Sequence, residues 1–61
     1  MTLEEVIDNI QEGQVAMASL NGEKWFVIKL KGELYDYSED GDVLGFAMVS
    51  VKAVRAKWIL L

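Results

Sequence analysis

The hydrophobic period of this chain changes once, at Gly13, from that of a helix to that of strands, and this confines the fold to a mixed class. Before the change, Leu3, Val6, Ile7 and Ile10 recur at i, i+3, i+4 and i+7 and form one apolar helical stripe. Thr2 and Glu5 are spaced as a capping box, and early acids suit the positive end of a helix. Gly13 stands where a helix commonly stops in a residue of positive φ. The spacing predicts a helix over residues 2–12.

After Gly13, residues 14–20 suit a strand, and Asn21-Gly22 is the strongest short-range signal for a hairpin. The run Lys24-Trp-Phe-Val-Ile-Lys-Leu-Lys31 is rich in strand formers. Its more apolar alternate set, Phe26, Ile28 and Leu30, is expected to face the helix. Trp25, Val27, Lys29 and Lys31 are then expected to face away. Gly32 offers a second turn, Glu33–Tyr37 a third strand, and Ser38–Asp42 a polar loop. Val43–Val49 reads as a buried strand with Gly45 at a bulge or a close approach. Ser50 is placed to cap a helical turn over Val51–Arg55, and Lys57–Leu61 closes as a paired, covered strand. The expected fold is α+β: a single domain over residues 1–61, with an N-terminal helix on an antiparallel sheet of four or five strands. A short helical turn precedes the last strand.

Composition decides how such a domain is stabilised. A chain of 61 residues buries only about 60% of the surface its unfolded form exposes. It has no cysteine and no histidine, which excludes disulfides and the common zinc sites. Yet 52% of its residues are hydrophobic, more than so small an interior can hide. Self-association is the economical outcome, so a homo-oligomer is expected. No apolar run reaches the length that crosses a bilayer, and the first residues lack a secretion signal. A cytoplasmic location follows as the expectation.

Ten acids against six bases argue against a partner bound through a nucleic-acid backbone. The charge is uneven: residues 1–23 hold five acids and no base, whereas residues 24–61 hold all six bases and five acids. A local cationic site for a small anion fits the second part. Catalysis is not expected, because no histidine or cysteine is present and the carboxylates cluster on the helix surface and in the 39–42 loop. Glu39, Asp40 and Asp42 offer oxygen ligands for a hard cation, but they lack the alternating ligands and distant Glu of an EF-hand loop. Turn chemistry explains them, and no metal is expected.

The candidate ligand-binding residues are Trp25, Lys29, Lys31, Tyr35, Tyr37 and Arg55. Aromatic rings beside bases on a sheet supply stacking surfaces for a nucleobase and donors for phosphate. Trp25, Val27 and Tyr35 fit a subunit interface as well, and the two roles are compatible where subunits meet. Arg55, the only arginine, is the side chain best suited to grip phosphate bidentately, although an ordinary surface position accounts for it too. Trp58 reads as an anchor, and Met17 and Met48 as packing residues.

The helix that opens at Thr2-Leu-Glu-Glu-Val and ends at Gly13, Trp25 in the hairpin, Leu34-Tyr35, Val49-Ser-Val-Lys-Ala-Val54 and the terminal Ala56-Lys57-Trp58-Ile59-Leu60 follow in a recognisable order. This order resembles the small phage proteins that block Thoeris and related nucleotide-signalling defences by sequestering the signal molecule. The chain departs from them in Gln14-Val-Ala-Met-Ala18, where basic residues are usual, and in Lys57, where an acid precedes the tryptophan. The resemblance implies a homo-oligomer, expected as a tetramer. Its nucleotide pockets would lie between subunits and perform no turnover, with Trp25 as a stacking surface and Trp58 as an anchor. The expected function is a sponge for a cyclic or ADP-ribose-derived nucleotide signal in the cytoplasm of an infected host cell. A small module that docks on and inhibits a host protein is the alternative.

Overall fold

The computed structural model describes all 61 residues. Helix α1 (Leu3–Asn9) is followed by strands β1 (Val15–Leu20), β2 (Glu23–Leu30), β3 (Glu33–Tyr37) and β4 (Val43–Phe46). A one-turn helix, α2 (Val51–Arg55), then leads into β5 (Lys57–Leu60). The five strands form one antiparallel sheet in the order β4-β3-β2-β1-β5. The expected α+β architecture is present, including the helical turn before the last strand.

Helix α1 starts as its sequence requires. The Thr2 hydroxyl accepts from the Glu5 N–H at 3.2 Å, and the Glu5 carboxylate accepts from the Thr2 N–H at 2.9 Å. It stops three residues earlier than the spacing predicts. The Asn9 side chain donates back to the Glu5 carbonyl at 2.7 Å, and Ile10 turns extended at φ −67° and ψ 137°. Ile10 is buried, and Gly13 (φ 80°) already pairs with β2 through its N–H to the Lys29 carbonyl at 2.7 Å. Sheet pairing therefore takes the chain before a longer helix can form.

The β1–β2 and β2–β3 connections are both two-residue turns with positive φ throughout. Asn21 and Gly22 lie at 49° and 83°, and Lys31 and Gly32 at 53° and 76°. Lysine in the left-handed region costs roughly 1–2 kcal/mol. Glu12 braces that turn, because its carboxylate accepts the N–H of Lys31 and, at 3.1 Å, that of Gly32. Those two bonds, Lys31 first, hold the Glu12 carboxyl below its ordinary value of 4.5, as the Thr2 backbone and hydroxyl do for Glu5. A carboxyl lowered in the folded state stabilises the fold while ionised. Its contribution is whole above about pH 4.5 and fades as acid carries the pH below that value. Glu12→Gln should lower the melting temperature at pH 7 and flatten its decline in acid, as followed by circular dichroism.

The core lies on one face of the sheet. Leu3, Val6 and Ile10 of the first segment meet Ala16 and Ala18 of β1, Val27 of β2 and Trp58 of β5, with Ala53 and Ala56 from the α2 region. The alanines of β1 let the helix backbone approach closely. Ile7, placed on the expected stripe, is 50% exposed. An aspartate at Val6, which is fully buried, should therefore unfold the domain, whereas Ile7→Asp should be tolerated; thermal melting distinguishes them.

The expected facing of β2 is reversed. Val27 is buried beneath the helix and Trp25 packs against the core, while Phe26, Ile28 and Leu30 belong to the opposite face. Both alternating sets of β2 are apolar, so alternation alone does not choose between them. Cross-strand pairing does, because Ala16 faces Val27 and Ala18 faces both Trp25 and Trp58. Lys29 falls on the covered face and reaches past it to give its ammonium to the Ile10 carbonyl at 3.2 Å.

β4 is also shorter and more open than expected. It spans Val43–Phe46, and all four residues are exposed. Gly45 (φ 132°) accompanies a register break opposite Asp36 and Tyr37. The Ala47 N–H to the Leu34 carbonyl closes the ladder at 2.9 Å, after which the chain leaves the edge for α2. The Ser50 hydroxyl caps α2 at the Ala53 N–H (3.1 Å). β5 is paired with β1, but only one of its faces is covered: Trp58 is 2% exposed and Ile59 is 48% exposed. No helix is long and apolar enough to cross a membrane.

Candidate functional site

The six candidate residues do not share one site within a single chain. Tyr35 and Tyr37 lie on the open face of the sheet, where Tyr35 stacks on Phe46 with ring centroids 4.9 Å apart. Trp25 belongs to the helix side, edge-on to Trp58 at 6.2 Å. Lys29 is tied to Ile10, and Lys31 serves the tight turn at the far end of β2. Lys29 and Lys31 are thereby separated from the aromatics they were expected to serve.

Two groups of the candidates meet at the opposite end of the sheet. β2 starts there, beside the last residues of β1 and β3 and the first of β5. A cleft of about 450 Å³ opens between β2, β3 and the strand that follows, lined by Trp25, Phe26, Asp36, Tyr37, Leu44 and Met48, with Ser50 at its margin. Trp25 and Tyr37 come together here even though their strand faces differ, because the cleft wraps around the end of the ladder. Trp25, Phe26 and Tyr37 are the aromatic residues of its lining, and aromatic rings suit a planar heterocycle. Asp36 is half-buried and its carboxylate accepts no hydrogen bond within the chain, so it is free to accept one from a ligand N–H.

A second depression of about 350 Å³ lies two strands away, lined by Ser19, Leu20, Asn21, Gly22, Arg55 and Lys57. Arg55 ends α2, and the extended Ala56 (ψ 157°) turns the chain so that Lys57 opens β5 beside the β1–β2 turn. Ser19 pairs with both Lys57 and Lys24, giving a short basic row across the sheet. The one ion pair of the molecule joins Lys52 to Glu23 at 2.8 Å, which leaves Arg55, Lys57 and Lys24 without a carboxylate partner. Two unpaired cations, a hydroxyl and a side-chain amide around a concave turn suit an oxyanion.

The two hollows are close in the ladder. Trp25 of the cleft is paired with Ala18, whose neighbour Ser19 lines the basic depression. Lys57, Phe26 and Asp36 are the site residues the sequence reading passed over. Lys57 reaches the β1–β2 turn through the pairing of β5 with β1, a long-range register that local spacing does not show. No group of three or more acidic side chains converges to hold a metal ion. Comparison of the chain with known protein families, with curated proteins and with solved structures finds no match.

Proposed function

We propose that the protein is a phage-encoded sponge that binds a cyclic or ADP-ribose-derived nucleotide signal of a bacterial defence and holds it without cleaving it. It would act in the cytoplasm of the infected host cell. The observation that supports this reading is the placing of an aromatic cleft and a basic depression at the same end of the sheet. A nucleobase stacks on an aromatic ring of the cleft, and Asp36 accepts a hydrogen bond from its ring or amino N–H. The phosphates reach Arg55 and Lys57. Sequestration requires only such a grip, with no group poised for proton transfer.

The test is calorimetric titration with a panel of cyclic dinucleotides and cyclic ADP-ribose isomers. At least one member should bind more tightly than about 10 μM, roughly −7 kcal/mol. If none does, the nucleotide reading fails. The second reading, a homo-oligomeric module that docks on a host protein, draws its support from the apolar sheet face that neither helix covers.

A further inference from the structure

Both helices pack on one side of the sheet, so the other side is a layer without a partner. Met17, Phe26 and Tyr37 form one row across it, and Val15, Ile28 and Tyr35 form the next, with Ile59 and Phe46 extending them to the outer strands. Phe46 is 66% exposed and Ile59 48%, Val15, Met17, Phe26, Tyr35 and Tyr37 are half-buried, and Ile28 at the centre is only 9% exposed within the single chain. A sheet with one apolar face normally buries it against a second layer. Contiguous apolar patches of more than a few hundred Å² on small proteins mark contact surfaces.

We propose that this face is where two copies of the chain meet, sheet against sheet. Five strands about 4.8 Å apart and about five residues long at about 3.4 Å each give a footprint near 400 Å² per copy, indented by a hollow of about 490 Å³ that Val15, Phe26 and Tyr37 line. Two such faces would remove on the order of 800 Å², the size of a weak contact, so the pairing of charges at its ends matters to it. A second copy also supplies the complementary charge. The basic row of Lys24 and Lys57 lies at one end of the open face, and Glu33, paired with Leu30, lies at the other. A two-fold axis running across the strands sets Lys24 of each copy toward Glu33 of its partner. An axis along the strands would oppose the two basic rows and is disfavoured. The central strand β2 then lies over its own copy in reverse direction, with the half-buried Phe26 near the middle of a sandwich about 10 Å thick. The contact and the nucleotide reading share Phe26 and Tyr37, which line the aromatic cleft, and meet at Lys57, whereas Arg55 and Asp36 lie outside the contact. Tyr35→Lys and Ile59→Lys therefore test assembly at residues that line neither hollow.

Sedimentation equilibrium at micromolar concentration tests it. The wild type should show at least twice the 6.9 kDa chain mass. Tyr35→Lys and Ile59→Lys, on opposite flanks of the face, should each raise the dissociation constant about 100-fold or more while far-ultraviolet circular dichroism stays native. Val54→Lys, on the exposed side of α2, should leave assembly unchanged. Lys24→Glu should weaken association, and adding Glu33→Lys should restore it. A wild type that sediments as a monomer at 100 μM overturns the proposal, as does a dimer or tetramer that both face variants leave intact. If one face variant fails to fold, the other and the wild-type mass still decide. A charge swap that restores nothing overturns the across-strand axis.

Discussion

Trp58→Ala should leave the chain largely unfolded at 25 °C. Trp58 is the largest fully buried side chain, only 2% exposed, and it stands where α1, α2, β1 and β5 meet. Its indole N–H donates to the Ala53 carbonyl at 2.9 Å, and Trp25 meets it edge-on. Truncating a buried tryptophan to alanine costs about 3–5 kcal/mol. A single core in a chain of this size rarely supplies more than about 3–5 kcal/mol in all. The loss and the reserve are comparable, so the folded state should not survive. Trp58→Phe should be milder, keeping much of the packing but leaving the Ala53 carbonyl unpaired at about 1–3 kcal/mol. Urea denaturation followed by circular dichroism separates the three proteins. A Trp58→Ala variant that melts within a few degrees of wild type would show that the core is organised around something else.

Replacing both Arg55 and Lys57 by alanine should abolish measurable nucleotide binding without changing the fold. Both side chains are exposed and neither has a carboxylate partner, so their removal leaves no buried charge behind. A hydrogen bond to a charged group contributes about 1.5–3 kcal/mol, or one to two decades in affinity for each residue. Both line the same depression, so their effects need not add. Lys52→Ala is the control, because it removes only the exposed pair with Glu23, worth about 0–1 kcal/mol. Wild-type affinity should also fall as salt is raised. Calorimetry supplies the constants, and an unchanged affinity in the double variant would move the anion site elsewhere.

The features legible in the sequence are those carried by short-range chemistry. The Thr2–Glu5 cap, the Asn21-Gly22 turn and the Ser50 cap each need only neighbours within a few residues, and each forms as expected. The side of the sheet that receives the helix is a long-range property. It depends on the registers of β1 with β2 and β5, which group the small Ala16 and Ala18 with Val27 and Trp58. Because Phe26, Ile28 and Leu30 are more apolar than Trp25, Val27 and Lys29, hydrophobicity pointed to the wrong face for the helix, although Ile28 is buried on its own side. The same reversal scattered the candidate site: Lys29 went to the helix side, and Lys31 was taken by a turn that depends on Glu12. Trp25 and Tyr37 still meet, but around the end of the ladder and not on one strand face.

Native mass spectrometry of the protein after incubation in a nucleotide-supplemented lysate measures most directly whether it captures a nucleotide and keeps it whole. The expected spectrum contains protein carrying an added nucleotide mass, and denaturation releases that molecule at the same mass as the one supplied. The Arg55→Ala/Lys57→Ala variant emerges without it. A wild-type spectrum free of any nucleotide adduct, or one that returns a hydrolysed fragment, would contradict sequestration.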